Sequence, residues 1–128
     1  MSTVVVGIII KKNPLSYLLV SSKKDFGEFS GYYYPPAGHL ESGETELEAL
    51  KREIKEELGI NVVNANKIDA DAGDIEGQKT IWYVCEVDNF EFKIDEDELN
   101  SAGFFTQKEM KTMKIWPATK EVFEKYIF

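Results

Sequence analysis

One helical segment with both of its ends marked constrains the fold of this chain more than any other feature. Thr45, followed three residues later by Glu48, forms the capping-box pattern of a helix start, and Gly59 suits the left-handed residue past a helix end. Between these ends, four apolar side chains follow helical spacing and span an arc of about 80° at 100° per residue. The four are Leu47, Leu50, Ile54 and Leu58. The segment is therefore predicted to be an amphipathic helix that buries one stripe.

Runs of β-branched, aliphatic and aromatic residues on both sides of this helix predict the strands of a sheet. They cover residues 4–10, 17–21, 60–70, 79–87 and 102–105, with a shorter strand at 32–34. Pro35 and Pro36 are expected to end that short strand. The polar residues 23–31 and the acidic residues 94–100 are predicted to be loops. Strands before and after a central helix indicate the α/β class, as a three-layer α/β/α sandwich with a mixed β-sheet.

Two further signals predict helices near the C-terminus. Thr106 with Glu109 repeats the capping-box pattern and indicates a short helix. Pro117 is favoured in the first turn of a helix, which we expect to reach about Tyr126. The sequence contains no internal repeat or linker, and its 128 residues are the length of one domain. We therefore expect a single domain over residues 1–128.

The charge of the chain narrows the class of partner. A formal net charge of -8 argues against binding a nucleic-acid polymer, because that mode needs clustered Lys and Arg. A phosphorylated small molecule is compatible with an acidic site when divalent metal ions lie between the two. The chain has no apolar run long enough to span a membrane and no signal-peptide pattern at MSTVVVGIII. These features predict a cytoplasmic protein with no membrane partner. Whether it is a monomer or a homodimer is open, because the aromatic C-terminal segment IWPATKEVFEKYIF would suit either packing on its own sheet or contact with a second subunit.

The single cysteine and single histidine exclude two kinds of site. Cys85 has no second cysteine with which to form an internal disulfide, and one cysteine with one histidine cannot make the usual Cys/His zinc site. Cys85 lies in the apolar run TIWYVCEV, which predicts a buried and inert thiol.

Three glutamates at the end of the predicted central helix conflict with ordinary helix electrostatics. Glu53, Glu56 and Glu57 are helical neighbours that repel one another, and they lie close to the negative end of the helix dipole. On a helical wheel they flank the predicted apolar stripe. Two interpretations compete: a solvated acidic face, or a site where a cation resolves the repulsion.

The nearby basic residues weaken the first interpretation. Lys51 and Lys55 are predicted on a different side of the helix, and Arg52 is placed nearer to Glu48 than to all three glutamates. A face built for solubility would more often interleave both signs of charge.

The segment GHLESGETELEALKREIKEELGI, residues 38–60, resembles the Nudix box, and nine specified positions match. They are Gly38, Glu44, Arg52, Glu53, Ile54, Glu56, Glu57, Gly59 and Ile60. The resemblance implies Mg²⁺- or Mn²⁺-dependent hydrolysis of a nucleoside diphosphate linked to another moiety, by water attack at phosphorus. It also implies a small nucleotide or pyrophosphate as substrate. Three neighbouring carboxylates independently suit Mg²⁺, a hard cation that prefers oxygen ligands.

The same resemblance assigns roles to the residues of the box. Glu53, Glu56 and Glu57 are implied as metal ligands, with a further oxygen ligand from the backbone at Gly38, just before that residue. Arg52 is implied as an orienting partner for a carboxylate, and Glu44 as that partner or as an outer-shell group.

The sequence does not identify which carboxylate would act as the general base. Within the box Glu56 or Glu57 would serve, whereas family members also draw the base from a downstream loop, where Glu96 and Glu98 lie. Two solvated loop acids explain Glu96 and Glu98 equally well. Glu98 is taken here as the loop candidate.

Substrate contacts are predicted at two further positions. Lys23, with Lys24 beside it, ends a predicted strand and would meet a substrate phosphate, although a solvated loop is the competing interpretation. His39 lies inside the box and would hydrogen-bond a phosphate or carry a proton near neutral pH. The PPAGHLE entrance to the box resembles that of small family members acting on nucleoside di- and triphosphates. A non-catalytic nucleotide-binding or sensing module is the alternative, although such a module would be expected to lose one or more of these carboxylates.

Overall fold

A computed structural model describes residues 2–128 of the chain. It contains seven strands and three α-helices, the last of which continues into a π-helical turn. The strands are β1 (Ser2–Lys11), β2 (Ser16–Ser22), β3 (Tyr33–Tyr34), β4 (Ala37–His39), β5 (Val62–Asp69), β6 (Gln78–Val87) and β7 (Leu99–Phe105). The helices are α1 (Glu46–Leu58), α2 (Gln107–Met110) and α3 (Pro117–Val122), followed by the turn Phe123–Ile127. Within residues 2–128 none of these helices combines the length and apolarity that a membrane span requires.

The strands form one mixed sheet. Its main path runs β3-β2-β1-β6-β5, with β4 paired to β1 and β7 paired to β2. The pairing of β1 with β6 is parallel, from Ser2 opposite Gln78 to Ile9 opposite Cys85, and the other strand pairs are antiparallel. The long connection that a parallel pair needs contains α1, which lies between β4 and β5 in the chain.

Side chains of β1 alternate between the two faces of the sheet and contribute to a buried cluster on each face. Val5 belongs to a buried cluster with Leu50 and Ile54 of α1, whereas Val4 and Val6 belong to a second cluster with Phe123. Successive side chains of a strand point to opposite faces, so one strand feeds both clusters. The α/β class and the three-layer arrangement predicted from the sequence are confirmed.

The ends of α1 are formed as predicted. The Thr45 side chain accepts from the Glu48 N–H, the Glu48 side chain accepts from the Thr45 N–H, and Gly59 adopts φ 70°. The predicted stripe is wrong in one member, because Leu47 is 41% exposed and Ala49 is fully buried instead. The buried stripe winds around the helix, from Ala49 and Leu50 in its first half to Ile54 and Leu58 in its second.

This winding changes the predicted position of the glutamates. On a helical wheel Glu53 and Glu57 fall between the directions of Ala49 and Leu50. They therefore lie within the buried side of the helix rather than beside it.

The Gly59 conformation gives a prediction for stability. Replacing Gly59 with Ala should lower the free energy of unfolding by about 1 kcal/mol, because an L-residue is strained at positive φ. Urea denaturation with an unchanged m-value would measure it. Gly59→Asn is the matched control and should lose less, since Asn tolerates this conformation better. Equal losses in the two variants would contradict the conformational explanation.

The structure adds one strand and corrects one strand boundary. The short strand β3 ends at Tyr34, directly before the two prolines, as predicted, but the unpredicted strand β4 follows them, and the Pro36 carbonyl accepts from the Gly7 N–H at 2.9 Å. Proline lacks only the donor, so its carbonyl still joins a ladder. Leu99 already begins β7, which pairs with β2, so the predicted acidic loop is shorter than its sequence suggested.

Cys85 is buried in β6, as predicted, and burial raises the pKa of its thiol to about 12. The thiolate required for nucleophilic chemistry is therefore disfavoured at neutral pH.

Candidate active site

A cleft of about 510 Å³ opens beside β4, the three-residue strand. Its wall on one side is the acidic part of α1, and its floor on the other is formed by β1, β6 and the start of α3. The volume lies in the range of small-molecule sites, roughly 300 to 1,000 Å³. The cleft contains Gly38, His39, Arg52, Glu53, Glu56, Glu57 and Glu98 among its lining residues.

Arg52 organises the acidic wall. Its Nε donates to Glu44 Oε2 at 2.7 Å and its Nη2 donates to Glu44 Oε1 at 2.9 Å, which makes a bidentate pair. Its Nη1 donates to Glu53 Oε1 at 2.8 Å and to Glu56 Oε2 at 3.4 Å. The sequence-based placement of Arg52 nearer to Glu48 is therefore wrong, because Glu48 is engaged in the helix cap while Arg52 turns to the loop before α1.

Glu44 is the anchor of this arginine. The Arg52 guanidinium, with the backbone N–H of Glu41, lowers the pKa of the Glu44 carboxyl to about 2. Glu44 in turn raises the pKa of Arg52 above its ordinary value. The pair is ionised throughout the physiological range, so the guanidinium is fixed where it can hold Glu53.

Glu57 is the most perturbed carboxylate of the site. Its Oε2 is buried and hydrogen-bonds to no atom in residues 2–128. Burial, and then repulsion from Glu53, Glu98 and Asp95, raise the pKa of Glu57 to about 8. A buried carboxylate without a partner is costly, and a cation at this position would remove the cost.

Glu53 lies against the backbone of Gly38. A Cβ at Gly38 would overlap the Glu53 carboxyl group, so only glycine leaves room for it. Burial raises the pKa of Glu53 despite its hydrogen bond to Arg52. The close approach brings backbone oxygen atoms of β4 toward the acidic wall.

The register of β4 determines which carbonyls are available. Gly38 lies opposite Val5, and the flanking Gly7 to Pro36 hydrogen bond identifies this pair as hydrogen-bonded. The carbonyls of Ala37 and His39 therefore turn away from β1. That of His39 accepts from Arg52 Nη2 at 3.1 Å, and that of Ala37 is the backbone oxygen just before Gly38.

The donor set fits a divalent cation such as Mg²⁺. Carboxylate and carbonyl oxygens are the ligands that hard cations prefer, and Glu57 offers a buried oxygen that lacks a partner. Within residues 2–128 no three acidic, histidine or cysteine side chains are already arranged as a cage. Instead, Arg52 Nη1 hydrogen-bonds to both Glu53 and Glu56.

The acidic loop is tied to the end of α1. The Asp95 N–H donates to the Glu57 carbonyl at 2.8 Å and the Lys93 N–H donates to the Leu58 carbonyl at 3.0 Å. These bonds satisfy carbonyls that a helix end leaves free. As a result Glu98 and Asp95 line the cleft, whereas Glu96 does not. Sequence reasoning missed Asp95, whose only signal was its place in the acidic run.

Of the predicted substrate contacts, some line the cleft and one does not. His39 and Lys24 line the cleft, but Lys23 does not, and the backbone N–H of Lys23 instead donates to the Glu98 carbonyl at 3.0 Å. The aromatic residues Tyr34 and Trp82 also line the cleft. Trp116 also lines it and was missed, because no local pattern connects residue 116 with the box.

Comparisons with known proteins agree with this architecture. A nucleoside triphosphatase, NudI, from Enterobacter sp. is 47% identical over 57 residues, which are 44% of this chain and 39% of that protein. An NAD-capped RNA hydrolase, NudC, from Actinobacillus succinogenes is 32% identical over 76 residues, which are 59% of this chain and 29% of that protein. The chain spans about a third of the length of the NudC relatives it matches.

The fold has close counterparts among solved structures. A MutT Nudix hydrolase from Burkholderia pseudomallei superposes with a TM-score of 0.83 at 21% identity, covering 98% of this chain and 97% of that one. The family model described as the NUDIX domain matches residues 1–126. The chain therefore belongs to the Nudix domain family.

Proposed function

We propose that this protein hydrolyses the pyrophosphate linkage of a nucleoside diphosphate linked to a further moiety, with Mg²⁺ or Mn²⁺, by attack of water at phosphorus. The observation that carries the proposal is the Glu57 Oε2 atom, which is buried without a hydrogen-bond partner in residues 2–128 and lies among other acids in a nucleotide-sized cleft. Membership of the Nudix family supports the reaction class. A purely solvated acidic face would leave its carboxylates hydrated rather than buried.

Glu53, Glu56 and Glu57, with the backbone carbonyl before Gly38, are the groups that would hold the cation. When bound, it would neutralise phosphate charge and lower the pKa of a coordinated water. Arg52 keeps Glu53 oriented, because its Nη1 donates to Glu53 and also to Glu56. Glu98 is exposed in the cleft and is our candidate for accepting the proton of the attacking water, with Asp95 beside it in the loop.

Basic groups near the cleft would meet the substrate phosphates. Lys24 and His39 line the cleft and can donate to phosphate oxygens. Lys23 remains a candidate only for a more distant charge interaction. A nucleoside triphosphate or a related small pyrophosphate is the proposed substrate, which the similarity to a nucleoside triphosphatase supports.

A substrate panel tests the proposal. Release of phosphate or pyrophosphate from nucleoside triphosphates, dinucleoside polyphosphates, ADP-ribose and sugar nucleotides should require Mg²⁺ or Mn²⁺ and should be ranked by kcat/KM. We expect the triphosphates to rank first. Tight nucleotide binding with no turnover of any compound would contradict hydrolysis and favour the non-catalytic binding module.

Gly38→Ala should reduce kcat/KM by about 10²-fold, because the added Cβ displaces the Glu53 carboxyl and small misplacements of catalytic groups carry penalties of this size. The measurement is steady-state kinetics at saturating Mg²⁺, with thermal unfolding to confirm folding. Gly43→Ala is a useful comparison, since its Cβ would meet nothing within 4 Å and its positive φ of 85° would cost stability rather than displace a carboxylate. Full activity in Gly38→Ala would contradict the role given to this contact.

A further inference from the structure

The part of the cleft away from the glutamates has a different character. Val4, Val6 and Trp82 are buried side chains that form its apolar floor, and Trp116 lines it from the segment before α3. Such a surface suits the flat face of an aromatic ring rather than a phosphate. If the acidic wall holds the phosphates, as the proposed function requires, the nucleobase has this region available.

Trp116 is held as a rigid platform. Its ring stacks on Phe29 with a centroid separation of 4.8 Å and an interplanar angle of 23°, and it makes a T-shaped contact with Phe26 at a centroid separation of 5.3 Å. Its backbone N–H donates to the Tyr33 carbonyl at 3.1 Å. A preorganised indole loses little entropy when a base stacks on it.

Asp74 is an acidic side chain that lines the cleft beside Ala118, two residues after Trp116. Gln78, Thr80 and Thr119 also line it, but amides and hydroxyls both donate and accept, so they fit many base edges. A carboxylate only accepts. Both Asp74 oxygens share a single donor, the Ala118 N–H, at 3.1 and 3.0 Å, and the residue is otherwise exposed. Each oxygen therefore keeps accepting capacity toward the cleft.

Two acceptor oxygens side by side match two adjacent N–H donors. Guanine presents such a pair at N1–H and the 2-amino group. Adenine and cytosine place an acceptor nitrogen beside their amino group, and uracil, thymine and hypoxanthine offer one N–H beside a carbonyl. We propose that Asp74 is a specificity-determining residue that selects a guanine nucleotide by accepting from these two donors while the base stacks near Trp116.

This inference rests on the proposed function for the orientation of the nucleotide, but equilibrium binding tests it without turnover. GMP and IMP differ only by the 2-amino group, and calorimetry in Mg²⁺ would measure both. We expect the wild type to bind GMP roughly 10- to 100-fold more tightly than IMP, the usual effect of one hydrogen bond to a charged acceptor. A ratio below about twofold would overturn the proposal whether or not any variant folds.

Asp74→Asn separates recognition from structure. Asparagine still caps the Ala118 N–H, so thermal unfolding should change little, but it replaces one acceptor oxygen with a donor. The GMP to IMP ratio should then fall to near one. Asp71→Asn, an exposed change in the same loop that lies outside this cleft, should keep the wild-type ratio. An unchanged ratio in Asp74→Asn would overturn the assignment. Selective GMP binding without turnover of any nucleotide would instead overturn only the hydrolytic function.

Discussion

Glu57→Gln should make the metal-free protein more stable at pH 8 and should lower kcat/KM by about 10³-fold, the scale of several kcal/mol that bound metal ions contribute. The pKa of Glu57 is about 8 in the folded protein, against an ordinary value of 4.5. The folded state therefore holds this proton more tightly than the unfolded state does. Wild-type stability is highest below about pH 4.5 with respect to this group and falls as pH rises toward 8.

Glutamine keeps the shape of the side chain but cannot ionise. The variant should lack this part of the pH dependence, and its advantage at pH 8 in EDTA should be roughly 2 to 4 kcal/mol, given about 1.4 kcal/mol for each pKa unit. Urea denaturation at pH 5 and pH 8 would measure it. Saturating Mg²⁺ should stabilise the wild type at pH 8 much more than the variant. The ionised Glu57 carboxylate would bind the cation and so lose its repulsion from neighbouring acids, whereas the glutamine amide is neutral.

Glu91→Gln provides the matched control for this experiment. Glu91 is exposed in a loop outside the cleft, so the same chemical change there should alter neither stability nor turnover. If Glu57→Gln were no more stable than the wild type at pH 8, the carboxylate would not be strained as we infer. If it retained full activity, Glu57 would have no part in the reaction.

Local signals explain which parts of the fold were predictable. Thr45 and Gly59 act on backbone groups within a few residues of themselves, so the ends of α1 could be read directly. The alternating faces of β1 likewise follow from the period of a strand. Strand β4 was missed because its pairing depends on β1, about 30 residues earlier in the chain.

For the candidate site, the sequence indicated residues that line the cleft more readily than it indicated the contacts among them. The matched pattern named Arg52, Glu53 and Glu57, but their relations depend on how loops return to α1. The Glu44 loop redirects Arg52, and the bond from Asp95 to the Glu57 carbonyl brings the acidic loop into the cleft. A helical wheel also placed Glu57 beside the core, whereas the winding of the buried stripe places it within. Such features arise from tertiary packing and leave no local mark in the sequence.

Arg52→Lys should lower kcat/KM by about 10²-fold although the positive charge is kept. Arg52 donates to both oxygens of Glu44 while its other nitrogen holds Glu53 at 2.8 Å. A lysine ammonium is a single point of charge and cannot reproduce this planar, forked geometry. Glu53 would then be free to move by the ångström or so that costs a positioned reaction about two orders of magnitude.

The comparison with Arg52→Gln separates geometry from charge. If the geometry of the guanidinium is what matters, the Arg52→Lys and Arg52→Gln variants should be similarly impaired at saturating Mg²⁺, and the loss should lie mainly in kcat. If charge alone matters, the Arg52→Lys variant should retain near-wild-type activity and only the Arg52→Gln variant should lose activity. Lys51→Gln removes a charge from an exposed neighbouring position of α1 and controls for the net charge of the helix. A wild-type rate in Arg52→Lys would show that the acidic wall keeps its arrangement without the bidentate guanidinium. The ion pair with Glu44 would then contribute to stability alone.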